Sequence, residues 1–159
     1  MIQGTIQRIV ELFVDIFQQL GVKISLPMLE ELSVIVHKAM TLQSRHYHNL
    51  DHVFMFLDPP DPIQSLSALF HDVVYYQVDR GFLPELEEII CTYIKEERDT
   101  FSIVDTIPEE EQGVWLTLDI FGFHPGQTIT ALQGLNEFLS ALVMNVKLGK
   151  VLSDRKSVV

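Results

Sequence analysis

Three of the six histidines of this chain fall in the stretch Arg45-His46-Tyr47-His48-Asn49-Leu50-Asp51-His52-Val53, and a fourth begins the pair His71-Asp72. His48 and His52 are four residues apart, a spacing that places two side chains on one face of a helix, about one turn apart. Two imidazoles and a His-Asp pair form a mixed nitrogen and oxygen ligand set that suits a divalent transition metal. The pattern therefore points to a metal-dependent hydrolase site.

Composition indicates a single globular domain with a large negative charge. The chain has 159 residues, of which 47% are apolar, and a formal net charge of -11, so one domain with a sizeable core is expected. Its basic residues are scattered, whereas nucleic acids and anionic membranes require clustered lysines and arginines, so neither is an expected partner. The lone cysteine, Cys91, cannot form an internal disulfide, the first residues show no basic-then-apolar pattern of a signal peptide, and the sequence has no apolar run of about 18 residues. We expect a soluble, cytoplasmic protein.

The hydrophobic pattern predicts a chain that is nearly all helical. Apolar residues recur at three- and four-residue spacing from Thr5 to Leu20, where Gly21 ends the pattern. Ser25, Asn49 and Asp61 are predicted N-caps of further helices. The predicted helices span 5–20, 27–40, 50–57, a central stretch that begins at Pro62, 84–97, 108–120 and 128–152.

The helix that begins at Pro62 is predicted to contain the His-Asp pair. Its apolar residues cover most of the helix circumference, so we expect a buried central helix with His71 and Asp72 inside it. Burial of an imidazole and a carboxylate is unfavourable unless they are paired or bound to a metal. This penalty favours a functional role for the pair.

Taken together, these motifs resemble those of the HD superfamily of metal-dependent phosphohydrolases. The matching segments are residues 45–53, with the order His-x-x-x-His, and Ala68-Leu69-Phe70-His71-Asp72-Val73-Val74-Tyr75. Tyr47-His48-Asn49-x-x-His52 is also similar to a piece of the cyclic-nucleotide phosphodiesterases, which share this helical core. Asn136-Glu137-Phe138-Leu139-Ser140-Ala141 resembles an Asn-Glu-x-x-Ser-Ala motif of one bacterial HD subfamily.

The resemblance implies a fold and an activity. The fold would be an all-α, single-domain, HD-type helical bundle with its core motifs in 45–75 and 136–141. The activity would be hydrolysis of a phosphomonoester or phosphodiester, with a nucleotide as one candidate. The implied partner is therefore a small-molecule phosphate ester.

The resemblance also assigns roles to four residues. His52, His71 and Asp72 would bind a divalent metal ion, which could be Mn, Mg, Zn, Fe or Co, and Asp72 would be the catalytic ligand that can bridge two metals. A metal ion activates its bound water as a nucleophile. His48 would be the catalytic proton donor to the leaving oxygen, held near the metal but not on it.

Two further residues are assigned to the site, and one ligand is left without a residue. Arg45 could pair with a substrate phosphate, and Glu137 could orient a ligand or a metal-bound water. The family has a last aspartate ligand on a late helix, after the Asn-Glu-x-x-Ser-Ala motif where that motif occurs. Because about 60 residues separate the His-Asp pair from Asn136 here, we expect that aspartate to lie beyond the end of this chain. Asp119 is the only candidate on a late helix.

The last six residues, Asp154-Arg155-Lys156-Ser157-Val158-Val159, do not continue the helical pattern before them. They match the conceptual translation of a widely used sequencing adapter. We therefore expect a domain over 1–153 that is incomplete at its C-terminus, followed by a non-native tail at 154–159. Such a chain would leave the apolar face of its last helix partly uncovered and could be inactive.

Two alternatives stay open at the level of the sequence. A non-catalytic HD-fold regulatory or binding module would explain the missing ligand, although the intact histidines and Asp72 argue against it. Two-iron oxygenase chemistry, which some HD-fold enzymes perform, requires further histidines that are not evident. The metal content of the purified protein would separate the first alternative from a hydrolase.

Overall fold

A computed structural model describes residues 4–153; residues 154–159 lie outside the described residues, so the non-native tail stays a prediction. None of the helices in the described range has both the length and the apolarity that crossing a bilayer requires. The elements are α1 (Thr5–Gln19), α2 (Leu26–Met40), α3 (Leu50–Met55), α4 (Pro62–Phe70), α5 (Tyr76–Asp79), α6 (Pro84–Tyr93), β1 (Ile94–Glu97), β2 (Thr100–Ile103), α7 (Gln112–Phe121), β3 (Thr128–Ile129) and α8 (Leu135–Ser153).

The predicted helix starts are confirmed by their capping side chains. Ser25 Oγ accepts the backbone N–H of Met28 at 3.3 Å and begins α2. Asn49 caps α3. Asp61 Oδ1 accepts two backbone N–H groups at the start of α4, each at 3.0 Å. These bonds satisfy donors that the first turn of a helix leaves without an intrahelical partner.

Aromatic packing fixes the end of α4, where the His-Asp pair begins. α1 packs against α2 and α4. The Phe13 ring of α1 stacks on Phe17 with centroids 6.1 Å apart and meets the Phe70 ring edge-on at 6.0 Å. Phe70, the last residue of α4, is only 1% exposed. Its neighbour His71 is therefore anchored to the core of the protein.

The long helix α8 packs closely on α7. A side chain at Gly113 would place its Cβ only 2.7 Å from the carbonyl oxygen of Asn145, so glycine permits this approach. Asn145 Nδ2 donates to Thr117 Oγ1 at 2.8 Å in the same interface. α8 also contacts α4 and α6. Its residues Glu137, Ser140, Ala141 and Met144 line one side of a cavity between α4 and α8.

The chain is mostly helical, as predicted, but it also contains a three-stranded antiparallel sheet in the order β1-β2-β3. The helix predicted over 84–97 ends at Tyr93, and its last four residues form β1 instead. β1 pairs with β2 through a tight turn at Arg98 and Asp99, which have φ values of 48° and 64°. The prediction was wrong here because the hairpin partner supplies the backbone hydrogen bonds that a longer helix would have made.

The helix predicted over 128–152 is also shorter than expected. Thr128 and Ile129 form β3, which pairs with β2, and a short 3-10 helix follows at Ala131–Gln133. Gly134, with φ of 75°, separates this turn from α8. The structure therefore starts the last helix at Leu135, just before the Asn-Glu-x-x-Ser-Ala motif.

We predict that Asp61→Ala lowers the free energy of unfolding by about 1 kcal/mol, because two N–H groups at the start of α4 lose their acceptor. Chemical denaturation measures the change. Asp61→Asn keeps an acceptor oxygen and serves as the matched control, with a much smaller expected effect. Equal losses in both variants would show that the carboxylate charge, and not the cap, stabilises α4.

Candidate metal centre

Three histidine side chains converge on a single carboxylate oxygen. Asp72 Oδ2 lies 2.6 Å from His48 Nδ1, 2.9 Å from His71 Nε2 and 3.7 Å from His52 Nε2. The Asp72 side chain is 19% exposed, and the imidazoles are 31–37% exposed. The structure thus brings together the four residues that the sequence singled out, from two segments of the chain.

The segment around α3 positions two of these histidines. His52 lies on α3 and His48 precedes it, as the predicted cap at Asn49 and the predicted helix over 50–57 imply, so the two histidines do not share one helix. Asn49 separates them. Its Oδ1 accepts the N–H of His52 at 3.2 Å, and its Nδ2 donates to the carbonyl of His46 at 3.2 Å. An N-cap residue has extended backbone, which turns the preceding residue away from the helix axis. The His48 and His52 rings nevertheless meet, with centroids 5.3 Å apart.

The His-Asp pair lies in a turn after α4 and not inside a helix, as was predicted. The N–H of His71 donates to the carbonyl of Ser67 at 2.9 Å as the last turn of α4 closes. Beyond it, side chains from other segments satisfy the backbone. Arg45 donates to the carbonyl of Asp72, and Ser140 Oγ accepts the N–H of Val74 at 3.0 Å. A continuing helix would need the same backbone groups.

Arg45 is a buried positioning residue in this structure. Its Nε and Nη2 donate to the two carboxylate oxygens of Asp79 at 2.9 and 2.5 Å, and its Nη1 donates to the carbonyl of Asp72 at 2.5 Å. The arginine is 5% exposed, and the Asp79 side chain is 7% exposed. The expected pairing with a substrate phosphate does not fit a guanidinium that is buried and bound to protein groups. Arg45 instead holds the backbone of the His-Asp turn.

The Asn-Glu-x-x-Ser-Ala segment of α8 contacts both the chain after the His-Asp turn and the cavity that contains the histidines. Asn136 Oδ1 accepts the N–H of Tyr76 at 2.9 Å, and Ser140 binds Val74, so both attach α8 to the chain that follows the His-Asp turn. Glu137 and Ala141 line the cavity that contains the histidines. Glu137 thus lines the same cavity as the histidines, and its expected role in orienting a ligand or water stays a prediction.

Hydrogen bonds keep the central carboxylate ionised. Burial by itself would raise the pKa of Asp72, but the hydrogen bonds from His71 and His48 outweigh it and lower the pKa to about 2. The hydrogen bond to Asp72 raises the pKa of His71 above its usual value, against an opposing effect of burial. His71 Nδ1 also lies 2.7 Å from the carbonyl oxygen of Ala68.

The donor set fits a divalent metal ion. In the described part of the chain, His48, His52 and Asp72 form a group that could hold an ion, with one ligand atom from each within 4.8 Å of the others. Imidazole nitrogen and carboxylate oxygen suit Zn, Fe, Mn or Co. The group includes His48, which was expected to be the proton donor. It does not include His71, which was expected to be a ligand, although His71 contacts the same oxygen of Asp72.

The cluster opens into a cavity of about 460 Å³ between α3, α4 and α8. The three histidines, Asp72 and Glu137 form its polar part, and Phe56, Phe70, Ala141 and Met144 are among its apolar lining. Asp119, the proposed late ligand on α7, is exposed and does not line this cavity. The structure therefore gives no support to Asp119 as a ligand.

Sequence reasoning missed residues that position or line the site. Asp79, the partner of Arg45, belongs to no motif that would have identified it as part of the site. Met144 could have been found, because it follows Glu137 by seven residues and therefore lies on the same helix face as Glu137 and Ala141.

Comparison of the chain with protein-family models, with curated proteins and with solved structures gives no match.

We predict that Arg45→Met lowers the free energy of unfolding by about 3–5 kcal/mol, because it leaves the Asp79 carboxylate buried without a partner. The double variant Arg45→Met/Asp79→Leu removes that charge and should recover most of the loss. Denaturant unfolding of the three proteins measures both effects. An Arg45→Met protein of unchanged stability would contradict the positioning role.

A second prediction concerns the pH dependence of the metal-free protein. A raised His71 pKa stabilises the fold below the usual value of 6.5, and this contribution is lost as the pH rises through the folded-state value. The lowered Asp72 pKa stabilises the fold above the usual value of 3.8, and this contribution is lost as the pH falls toward about 2. The pair therefore contributes most between these two usual values.

The melting temperature is measured with a chelator present at about pH 6 and at about pH 8. Its decrease from the lower to the higher pH should be larger in the wild type than in His71→Ala or Asp72→Asn. His46→Ala removes an exposed histidine from the same region and is the control. Parallel pH profiles for the wild type and His71→Ala would contradict the predicted coupling.

Proposed function

We propose that this chain is an HD-type metal-dependent phosphohydrolase domain that cleaves a phosphomonoester or a phosphodiester. The observation that carries the proposal is the convergence of three imidazoles on Asp72 Oδ2 in the lining of a cavity. The order of the motifs in the sequence supports the same class. When bound, a divalent ion would supply Lewis-acid activation of the phosphate and of water.

The proposed ligands are His52, His71 and Asp72. Nitrogen and oxygen ligands lie about 2.0–2.2 Å from an ion, so neighbouring ligand atoms around one ion are about 3 Å apart or more. The separations of His71 Nε2 and His52 Nε2 from Asp72 Oδ2, 2.9 and 3.7 Å, suit that arrangement. His71 Nδ1 faces the carbonyl of Ala68, which can only accept, so Nδ1 carries the hydrogen and the lone pair of the neutral ring lies on Nε2. Ligating histidines ordinarily make this kind of bond with their other nitrogen.

His48 is the proposed proton donor. Its Nδ1 lies 2.6 Å from Asp72 Oδ2, which is a hydrogen-bond distance and too short for two ligands of one ion. Because the ionised carboxylate can only accept, His48 Nδ1 carries the hydrogen of this bond. The carboxylate thus orients the ring and leaves Nε2 to deliver a proton to the departing alcohol oxygen.

A non-catalytic metal-binding or regulatory module is the second candidate. It is favoured by one observation: the group of possible ligands in the described residues contains a single carboxylate. A site with few charged ligands offsets less of the charge of a dication. Stoichiometric metal binding without hydrolysis of any phosphate ester would support this candidate over the first.

We predict that His52→Ala and His71→Ala each weaken metal affinity by more than about 100-fold, because each removes a direct ligand. His48→Ala should leave metal affinity nearly unchanged and lower hydrolysis by about 100- to 10,000-fold, because it removes only proton transfer. Calorimetric titration with Mn²⁺ or Zn²⁺ measures the first effect. Turnover of 4-nitrophenyl phosphate and bis(4-nitrophenyl) phosphate measures the second.

His46→Ala, an exposed histidine outside the ligand group, is the matched control for both assays. The opposite pattern is equally informative. If His48→Ala loses the metal and His71→Ala retains it, the ligand set is His48, His52 and Asp72, and the proposed proton donor is wrong.

A further inference from the structure

We infer that the cavity at this centre takes a phosphate ester of an apolar, uncharged alcohol and discriminates against nucleoside polyphosphates. The inference rests on the proposed function and narrows its substrate class. In the reaction, water adds to phosphorus, the bond from phosphorus to the ester oxygen breaks, and the alcohol leaves with a proton. The alcohol is the part of the substrate that the cavity must accommodate.

One face of α8 lines the cavity with a carboxylate at Glu137 and with apolar side chains further along the helix. Glu137, Ser140, Ala141 and Met144 line it at spacings of three, four and seven residues from Glu137, which is one face of the helix. Glu137 lines the cavity together with the histidines, and Met144 lies about 10 Å further along the helix axis at about 1.5 Å per residue. Phe56 and Phe70 also line the cavity. The Phe56 ring also contacts the His52 and His71 rings, with centroids 4.8 and 5.6 Å apart. The alcohol of a phosphate ester held at the histidines would therefore contact apolar side chains.

The hydroxyl groups in the cavity lining are already engaged with backbone. Ser67 Oγ donates to the carbonyl of Ile63 at 3.0 Å. Ser140 Oγ accepts the N–H of Val74 at 3.0 Å and donates to its carbonyl at 3.3 Å. Their donor hydrogens are used, so a sugar or a base would give up hydrogen bonds to water there without full replacement. An apolar alcohol has no such penalty.

The charges around the cavity oppose a polyphosphate. No lysine or arginine is among the described residues that line it, whereas Asp72 and Glu137 are. Arg45 is buried and bound to Asp79, and the whole chain has a net charge of -11. Enzymes that bind nucleoside triphosphates neutralise the additional phosphates with lysine, arginine and metal ions. A single phosphoryl group can be neutralised by the bound ion alone.

The volume suits a small organic group. At about 460 Å³, the cavity falls in the range of about 300–1,000 Å³ that is usual for small-molecule sites. It has room for a single aromatic ring on a short linker, with the phosphate at the histidines.

The test compares three substrates on the full chain loaded with Mn²⁺: 3-phenylpropyl phosphate, adenosine 5′-monophosphate and adenosine 5′-triphosphate. The first two are esters of primary alcohols, so their intrinsic reactivity is similar. We expect kcat/KM for 3-phenylpropyl phosphate to exceed that for the monophosphate by at least about tenfold, with the triphosphate lowest.

Two lysine substitutions distinguish the effect of a charge in the cavity from the effect of a charge on the surface. Met144→Lys places a charge in the cavity lining and should lower kcat/KM for 3-phenylpropyl phosphate by about tenfold or more. Met55→Lys, at a residue that is 80% exposed and does not line the cavity, is the control and should leave it unchanged. Met144→Gln gives a milder, uncharged change if the lysine variant does not fold. Binding of the alcohol 3-phenyl-1-propanol, followed by NMR without metal, should show the same dependence on Met144.

The outcomes distinguish this inference from the proposed function. Hydrolysis with the monophosphate or triphosphate preferred overturns the inference and leaves the phosphohydrolase proposal intact. If no ester is hydrolysed, the phosphohydrolase proposal fails, and alcohol binding that Met144→Lys abolishes still supports the assigned ligand class. Absence of alcohol binding, or binding that neither Met144 variant changes, overturns the inference.

Discussion

The buried ion pair of Arg45 and Asp79 is the interaction on which the site depends. A charged pair with side chains 0% and 7% exposed is stable only when its hydrogen bonds are satisfied. Here the guanidinium uses its remaining donors on the backbone of the His-Asp turn, including the carbonyl of Asp72. It therefore joins the His-rich segment, the turn after α4 and α5 into one unit. Ser140 and Asn136 attach α8 to the same unit.

The three histidines of the cluster share one acceptor atom. Asp72 Oδ2 contacts three imidazoles, and without a metal the nearest of them hold it as hydrogen-bond partners. The hydrogen bond between His71 and Asp72 stabilises the metal-free fold, whereas a bound ion would replace the proton between nitrogen and oxygen. Metal binding would therefore compete with protonation for the same atoms. The stability of the protein and the occupancy of the centre are expected to change together with pH.

Two of the differences between the predicted and observed elements have a common cause. The helices α4 and α6 were predicted too long, and each stops where another segment satisfies the backbone that follows. α4 ends where Arg45 and Ser140 bind the next peptide groups, and α6 ends where β2 offers a hairpin partner. Hydrophobic periodicity reports which face of a segment is buried, but it does not report which distant group will bind its carbonyls. The predicted caps, in contrast, were correct because a cap bonds to residues two or three positions away in the chain.

The sequence by itself determined the helical character of most of the chain, the N-caps at Ser25, Asn49 and Asp61, and the residues that meet at the centre. These features depend on local hydrogen bonds, on hydrophobic spacing and on residue types that are uncommon together. Only the tertiary structure decided that the rings of His48 and His52 meet although His48 lies outside α3, and that Arg45 is buried against Asp79. It also decided which residues line the cavity. Such features depend on contacts between segments far apart in sequence, and no local pattern specifies which residue a buried side chain will meet.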